Sequence, residues 1–154
     1  IPRWSQFKPE TVPRLLPNLI VYELESEDFI RIRLQGTAIN DRFGQNMTGG
    51  NYLDFVNSDR RSKASEAFWK MVDLPCGQLA ILVHRLSSGR DITVESVGFP
   101  FINDKGGPPI VIYQSHEIED FRPADRIEAE KLQIILVIER RFLDLGKGIP
   151  DFYD

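Results

Sequence analysis

The sequence predicts an α+β fold with two groups of strands separated by one helical segment. Two strand-like segments lie at residues 19–24 and 29–34, and three more follow between residues 77 and 118. Residues 58–73, between the two groups, have the apolar spacing of a helix. Runs of strands separated in this way are typical of α+β domains. The chain has 154 residues, 42% of them hydrophobic, which is enough for one domain with its own core.

The first two strands are predicted to form a hairpin that leads into a short helix. Apolar and polar residues alternate along residues 29–35 (FIRIRLQ), the pattern of a strand with one buried face. The polar tip Glu25–Asp28 joins this strand to the first one. Gly36 ends the second strand, and we expect Thr37 to cap a helix with its hydroxyl group. Gly44 then suits the position after a helix end, where φ is often positive.

A longer helix is predicted between the two groups of strands. Tyr52–Val56 is expected to form a single helical turn ahead of it. Ser58 and Asp59 supply a capping hydroxyl and an acidic first turn, so the helix should begin there and run to about Asp73. Pro75 prevents its continuation. Its apolar positions follow helical spacing and should face the core: Ala64, Phe68, Met71 and Val72.

The second group of strands is predicted to form a three-stranded meander. Its strands are Gly77–Leu86, Asp91–Ile102 and Pro109–Ile118. In the middle strand, Ile92 and Val94 select one face. The apolar residues that follow select the other face: Val97, Phe99 and Phe101. This change of phase predicts either a β-bulge or a strand that is buried differently at its two ends.

An arm, residues 1–16, precedes the predicted sheet region 17–118, and an extension, residues 119–154, follows it. The arm is interrupted by prolines and carries Trp4 and Phe7, so it must pack on its own sheet or on a second copy of the chain. Residues 119–131 are charged and predict a linker or the start of a helix opened by Pro123. Residues 132–145 are rich in β-branched side chains and predict a strand, which would add to the sheet, wrap the domain or form a partner surface.

Residues 29–49, FIRIRLQGTAINDRFGQNMTG, combine a strand, a Gly-Thr break, a short helix ending in Arg-Phe-Gly, and a Thr-Gly exit. In this combination the stretch resembles the first half of a PAS domain. The chain is similar in particular to short, stand-alone bacterial PAS-like proteins. The resemblance spans about residues 17–118, because two strands, a helical crossover and three strands is the PAS order. It implies a five-stranded antiparallel sheet with helices on one face.

The resemblance also implies a small apolar pocket between the sheet and the helices, the usual place for a sensor ligand in this family. Matching by position predicts that the pocket is lined by Phe43, Tyr52, Phe55, Phe68, Met71, Leu82, His84, Phe99 and Tyr113. Polar side chains within reach would orient a ligand: Arg42, Asn46, His84 and Gln114. If these aromatic side chains fill the pocket as ordinary core, the domain would be a pure interaction module. Because N-terminal helices often build the dimer in PAS proteins, a homodimer is implied as well.

Composition restricts the partners and the compartment. The net charge of −4 and a pI near 5.3 argue against generic binding to nucleic acids or anionic membranes, which requires a basic surface. The longest apolar run, Ile134–Ile138, is far shorter than the roughly 18 residues of a membrane span, so membrane insertion is not predicted. The single cysteine, Cys76, excludes an internal disulfide and fits a reducing cytoplasm.

Neither haem nor a covalently bound flavin is expected as a cofactor. Some PAS domains bind haem through a histidine on the helix before the third strand, and residues 58–73 contain none. His84 and His116 fall on predicted strands and would have to reach the haem from the sheet. The light-sensing flavin branch requires a cysteine in an Asn-Cys-Arg-Phe-Leu-type stretch. Cys76 instead lies in Leu-Pro-Cys-Gly-Gln.

These observations predict a non-catalytic cytoplasmic signalling module that binds a small molecule or a partner protein. The sequence has no Gly-x-Ser-x-Gly motif that would expose a nucleophilic serine. The alternative is a small α+β enzyme with a carboxylate base in the same cavity, for which Asp41, Asp54 and Glu95 are the candidates. Such a base would titrate well above the pKa of about 4 expected of a free carboxyl group.

Overall fold

The computed structural model describes residues 1–118 and 130–154, which form an antiparallel sheet of six strands with two α-helices. The strands are β1 (Leu19–Ser26), β2 (Phe29–Gln35), β3 (Gly77–Leu86), β4 (Asp91–Phe101), β5 (Ile110–Glu117) and β6 (Leu132–Leu143). The helices are α1 (Thr37–Phe43) and α2 (Arg61–Asp73), with short 3-10 helices at Trp4–Gln6, Pro9–Thr11, Leu16–Asn18 and Tyr52–Phe55. The strand order across the sheet is β2-β1-β5-β4-β3-β6. The predicted α+β fold is confirmed.

The sheet has six strands rather than the predicted five because the extension supplies β6. This strand pairs antiparallel with β3, from Gly77 opposite Leu143 to Leu86 opposite Leu132. Without it, β3 would present an unpaired edge, which proteins usually cover. The β-branched run in 132–145 therefore adds to the sheet, as one of the predicted alternatives. The linker or helix predicted over 119–131 falls mostly on residues 119–129, outside the described residues.

The helix ends differ from the sequence predictions at their N-termini. The N-cap of α1 is Gly36, so the prediction that Thr37 caps this helix is wrong; a Cβ at residue 36 would overlap the carbonyl groups of Leu16 and Pro17. α2 begins at Arg61 instead of Ser58, because residues 58–60 form a turn. The predicted left-handed Gly44 is confirmed, with φ of 76°. No helix among residues 1–118 and 130–154 is long and apolar enough to cross a membrane.

β4 explains the change of apolar phase seen in the sequence. The strand pairs with β3 and β5 without any register shift, so the alternative of a bulge is wrong. Ile92 and Val94 lie on the inner face of the sheet, which faces the helices. On that face the alternation continues with Ser96 and Gly98, both buried. The strand is therefore buried differently at its two ends, the other predicted alternative.

The N-terminal arm packs on the outer face of its own sheet, the face away from the helices. Trp4 and Phe7 stack with ring centroids 5.4 Å apart, and Phe7 meets the ring of Phe101 edge-on. The Trp4 amide donates to the carbonyl of Ile102 at 2.7 Å. Beneath these side chains lies a small buried cluster: Leu19, Val21, Ile110 and Ile112. The arm is therefore part of the folded domain, and its apolar side chains occupy the outer end of β4.

Candidate functional site

A small cavity lies in the core, between the inner face of the sheet and the helices. It has about 40 Å³ of free space, room for a few water molecules or a ligand of a few heavy atoms. Side chains from β1, β3, β4, β5, β6, α1 and α2 form its wall. Most of them are aliphatic or aromatic, so the cavity has the apolar character of a small-molecule site.

Four aromatic rings form one side of the cavity. Tyr22 on β1 is edge-on to Tyr52, Phe68 and Tyr113, with ring centroids 5.4, 5.1 and 5.9 Å away. Edge-to-face packing of this kind is the preferred arrangement of aromatic rings. Burial raises the pKa of all three phenols, that of Tyr52 to about 12, so they are neutral hydrogen-bonding groups. The cluster joins strands β1 and β5 to α2 and to the turn before it.

The hydroxyl group of Tyr113 is held in place by its neighbours. It donates to Oε1 of Gln78 at 3.0 Å and lies 3.2 Å from the sulfur of Met71. Gln78 in turn donates to the carbonyl of Ala67 in α2 at 3.3 Å. This chain of contacts connects β5, β3 and α2 across the core. A ligand that displaced the ring of Tyr113 would therefore disturb the packing of α2 against the sheet.

His84 on β3 is a buried polar group at one end of the cavity. It is 2% exposed, and its ring packs edge-on against Phe43 with centroids 5.0 Å apart. Burial, together with the nearby charge of Arg42, lowers the pKa of His84 to about 3, so the ring is neutral near pH 7. Its Nδ1 atom is buried and has no hydrogen-bond partner. Such an atom is costly to bury unless a ligand or water contacts it.

Arg42 forms a buried ion pair close to His84. Its Nη1 donates to Oε2 of Glu117 at 2.6 Å, and its Nη2 to the carbonyl of Ser115 at 3.3 Å. The Arg42 side chain is 1% exposed, whereas that of Glu117 is 30% exposed. Burial lowers the pKa of Arg42, and the charge of Glu117 opposes that shift. Because this guanidinium already has a carboxylate partner, it ties α1 to β5.

Arg140 on β6 lies in the wall at the other end of the cavity. It is opposite Ala80 of β3, four residues along the strand from His84. The extended rise of a strand places these two levels roughly 13 Å apart. The wall therefore has a basic side chain at one end and a neutral imidazole at the other. Most of its remaining side chains are apolar, and its further polar ones include Gln78, Ser96 and Ser115.

The structure brings six of the nine predicted lining residues together in the cavity wall: Phe43, Tyr52, Phe68, Leu82, His84 and Tyr113. Met71 is fully buried just behind the wall, and Phe55 packs beside the core. Phe99 was placed in the pocket wrongly, because it lies on the outer face of β4 and is 39% exposed. The sequence contained the information that places Phe99 outside the cavity. In the alternation along β4, Phe99 lies on the face opposite Ile92 and Val94.

Of the four polar candidates, only His84 lies in the wall. Arg42 is held by Glu117, and Asn46 accepts hydrogen bonds from the backbone and hydroxyl of Thr48. Gln114 lies on the outer face of β5, beside an apolar surface groove. Cys76 is buried outside the wall, and burial raises the pKa of its thiol.

The carboxylates proposed as catalytic bases do not reach the cavity. Asp41 and Asp54 are exposed, and Asp54 is paired with Arg61 at 3.2 Å. Glu95 points away from the cavity and lies 3.8 Å from His116. Among the described residues, the cavity wall contains no Asp or Glu. The same residues contain no group of three or more His, Cys, Asp or Glu side chains that could hold a metal ion.

Several wall residues were missed by the sequence predictions. Gln78 and Ala80 follow from Leu82 and His84 by the period of two along β3, so the pattern was available. Arg140 could not be found in this way, because it lies in the extension beyond the resemblance. Its position depends on how β6 pairs with β3.

Comparisons with known proteins agree with the fold. A family model described as PAS domain matches residues 1–112. The fold is similar to a light-oxygen-voltage (LOV) domain studied with a flavin analogue (TM-score 0.53, 8% identity, covering 72% of this chain and 84% of that chain). It is also similar to a Rhodobacter sphaeroides LOV protein (TM-score 0.52, 11% identity, covering 71% of this chain and 65% of that chain). A third similar structure is the LOV domain of the blue-light photoreceptor Aureochrome1 (TM-score 0.51, 10% identity, covering 72% of this chain and 88% of that chain). None of the curated proteins matches the chain.

Proposed function

Because this chain belongs to the PAS domain family, we propose that it is a non-catalytic sensory module of bacterial cytoplasmic signalling that binds a small ligand in its core cavity. The observation that carries the proposal is the cavity itself, whose apolar wall contains the unpartnered Nδ1 of His84. A concave apolar site with a few placed polar groups is the usual form of a small-molecule site. The lack of an Asp or Glu in its described wall favours binding over catalysis by a carboxylate base.

The size of the cavity limits the ligand. Flavin and haem are larger than a site of about 40 Å³ admits, since drug-sized ligands occupy roughly 300–1,000 Å³. Cys76, the one thiol, lies outside the wall. The residues present therefore do not fit the flavin of the LOV domains that the chain resembles in fold. A ligand with few heavy atoms fits without repacking the aromatic cluster.

The output of ligand binding would pass through strands β1 and β5 to the outer face. Tyr22 and Tyr113 are in the cavity wall, whereas their neighbours Val21 and Ile112 belong to the outer cluster under the arm. A ligand that shifts either ring changes the strand on which the arm is packed. Such a ligand favours one arrangement of the arm over another, which is a population shift.

The outer face also supports the proposed homodimer. It carries an apolar groove whose wall includes Phe99, which is 39% exposed, and Leu15 and Leu145, which are 45% and 50% exposed. Exposed apolar side chains that cluster mark interaction surfaces more often than scattered ones. We infer that a second copy covers this groove and that a signalling protein reads the resulting change of association or shape.

Native mass spectrometry of the purified protein, compared with its denatured mass, tests ligand binding. We expect a bound small molecule that Ala80→Val removes, because the two added carbon atoms enter the cavity. Val83→Ile, which adds a methyl group on the opposite face of β3, is the matched control and should retain the ligand. If the native mass never exceeds the denatured mass, and extracts of the host cell add nothing, the cavity does not bind a ligand.

The homodimer is tested separately by sedimentation velocity. Phe99→Glu places a charge on the apolar groove and should shift the protein to a monomer without unfolding it. Ile138→Glu is the control, because Ile138 is 65% exposed on β6, away from the groove. A monomeric wild-type protein, or a Phe99→Glu variant that still dimerises, would remove the second copy from the proposal.

A further inference from the structure

Arg140 reaches the core because of an irregularity in β6. Between the pairs Ile81–Glu139 and Leu82–Val137, the register of β3 and β6 shifts by one residue, so Ile138 is extra. Ile135 and Val137 line the cavity. If the side chains of β6 continued to alternate without the shift, the next one to face the cavity would be that of Glu139. Instead Arg140 turns inward opposite Ala80, and its side chain is 5% exposed. Bulges commonly re-aim a side chain in this way.

Arg140 stands at the boundary between the core cavity and the protein surface. It lines the cavity, and with Arg60 it also lines a surface cleft of about 200 Å³ between β6 and the start of α2. Ala64 and Val137 are shared by the two walls as well. A small molecule that enters the cavity from this cleft would therefore pass the Arg140 side chain.

The cations at this boundary are incompletely neutralised. Nη1 of Arg140 donates to Oδ1 of Asp154 at 2.6 Å, and Nη2 of Arg60 donates to the same oxygen at 2.5 Å. One carboxylate is thus shared by two guanidinium groups. The Nε atom of Arg140 is buried and has no partner. A guanidinium pairs best with a planar carboxylate that accepts two parallel hydrogen bonds, which Asp154 does not provide here.

Asp154 belongs to a short segment, residues 152–154, that lies beside Arg140 and whose Phe152 also packs edge-on against Phe142. The ring of Phe152 lies 5.2 Å from the guanidinium of Arg140 and 4.9 Å from the ammonium group of Lys63. Tyr153, between them, is 82% exposed, and the Asp154 side chain is 38% exposed. The carboxylate side of both ion pairs is therefore open to solvent, so a competing anion can reach the guanidinium of Arg140 from the side of this segment.

We propose that Arg140 binds the carboxylate of a small monocarboxylic acid, whose apolar part enters the aromatic cavity. Without the acid, the carboxylate of Asp154 is bound to Arg140 in its place, and the acid displaces it. The inference rests on the proposed function, since it names the ligand class of the same cavity. The acid should carry one negative charge only, because the opposite end of the cavity holds the neutral imidazole of His84, which would not balance a second carboxylate. Arg60 is 45% exposed, so it attracts the acid to the cleft without entering the core.

The test is calorimetric titration with pairs of small acids and their amides: acetate and acetamide, propionate and propionamide, butyrate and butyramide. Each amide keeps the shape of its acid and removes the charge. We expect at least one acid to bind about tenfold or more tightly than its amide, the ratio typical of a charged hydrogen-bonded partner. Hydrogen exchange of the backbone around residue 152 should quicken with that acid and remain unchanged with its amide.

Two substitutions in the displaced segment make the test independent of the buried arginine. Asp154→Asn removes the competitor and should tighten binding of the acid about tenfold, whereas Asp151→Asn makes the same charge change at an exposed neighbour and should leave binding unchanged. Arg140→Gln should abolish binding of the acid, with folding checked by circular dichroism. If both Asn variants have the same affinity as the wild type, Asp154 does not compete and the inference is wrong.

The outcomes separate this inference from the proposed function. Amides that bind as tightly as the acids, or a neutral molecule carried by the purified protein, would overturn the role of Arg140 and leave the cavity as a ligand site. If no acid or amide binds and native mass spectrometry finds no bound molecule, both proposals are wrong.

Discussion

The ion pair between Arg42 and Glu117 supports a quantitative prediction, because its two members are buried to very different degrees. The Arg42 side chain is 1% exposed and that of Glu117 is 30% exposed. In Glu117→Gln, the guanidinium would remain in the core without a negative charge to balance it, and only neutral oxygens such as the carbonyl of Ser115 would accept from it. In Arg42→Met, the carboxylate left behind can be hydrated. We therefore expect Glu117→Gln to lower the free energy of unfolding more than Arg42→Met does.

The magnitudes follow from the burial. Leaving one member of a buried pair without its partner costs about 3–5 kcal/mol. The partial exposure of Glu117 weakens its attraction to Arg42, and Ser115 retains one hydrogen bond, so we expect about 2–3 kcal/mol for Glu117→Gln. Arg42→Met exchanges the lost hydrogen bonds for apolar packing of similar length and should cost about 1 kcal/mol.

Urea titration followed by tryptophan fluorescence measures both variants. Equal slopes against urea would show that the change lies in stability and not in the compactness of the unfolded chain. Glu139→Gln is the matched control, because Glu139 forms an ion pair with Arg141 in which both side chains are more than half exposed. It should change stability by less than about 0.5 kcal/mol. An Arg42→Met variant less stable than Glu117→Gln would refute the reasoning from burial.

Three further substitutions test the packing of the cavity wall. Gly98→Ala should lower stability by about 1–3 kcal/mol, because the new Cβ overlaps the ring of Tyr113; an unchanged urea midpoint would show that the ring can move away. Phe68→Ala should cost about 3–5 kcal/mol in scanning calorimetry, and a smaller loss would mean that the aromatic cluster collapses into the space. Replacing His84 by Phe should flatten the pH dependence of stability. The pKa of His84 is about 3 in the folded protein and near 6.5 when unfolded, so the unfolded chain binds one more proton between these values and stability falls as the pH drops through this range. If urea midpoints measured between pH 6.5 and 4 change equally in wild type and variant, His84 is not the titrating group.

The strands were predictable from the sequence because each carries a local pattern. β3 has the predicted bounds Gly77–Leu86, and β2 extends the predicted strand by a single residue. The start of α2 was missed because a capping serine is also common in turns, and residues 58–60 use it in a turn. Thr37 shows the same limitation at α1, where contact with Leu16 and Pro17 decides that Gly36 precedes the helix.

The site was only partly predictable because its two ends depend on different kinds of information. His84 and Leu82 were found by alternation along β3, which a sequence shows directly. The position of Phe99 could be found in the same way, because it alternates with the inner-face positions of β4 that begin with Ile92 and Val94. Arg140 required both the pairing of β6 with β3 and the one-residue shift at Ile138. The hydrophobic pattern of β6 does not show where such a shift occurs. A shift of one residue moves every following side chain to the other face of the strand.

The same two ends explain why the cavity would select among ligands rather than accept any apolar molecule. The buried Nε of Arg140 and the buried Nδ1 of His84 both lack hydrogen-bond partners, at levels of the sheet roughly 13 Å apart. An apolar ligand that filled the space would leave both atoms without partners. The free-energy cost of burying them without hydrogen bonds would therefore remain. Sites with buried polar groups reject ligands that cannot satisfy them far more strongly than apolar sites reject an extra methyl group. Selection in this cavity would therefore come from these two unpartnered atoms, while the aromatic side chains of the wall limit the size of the ligand.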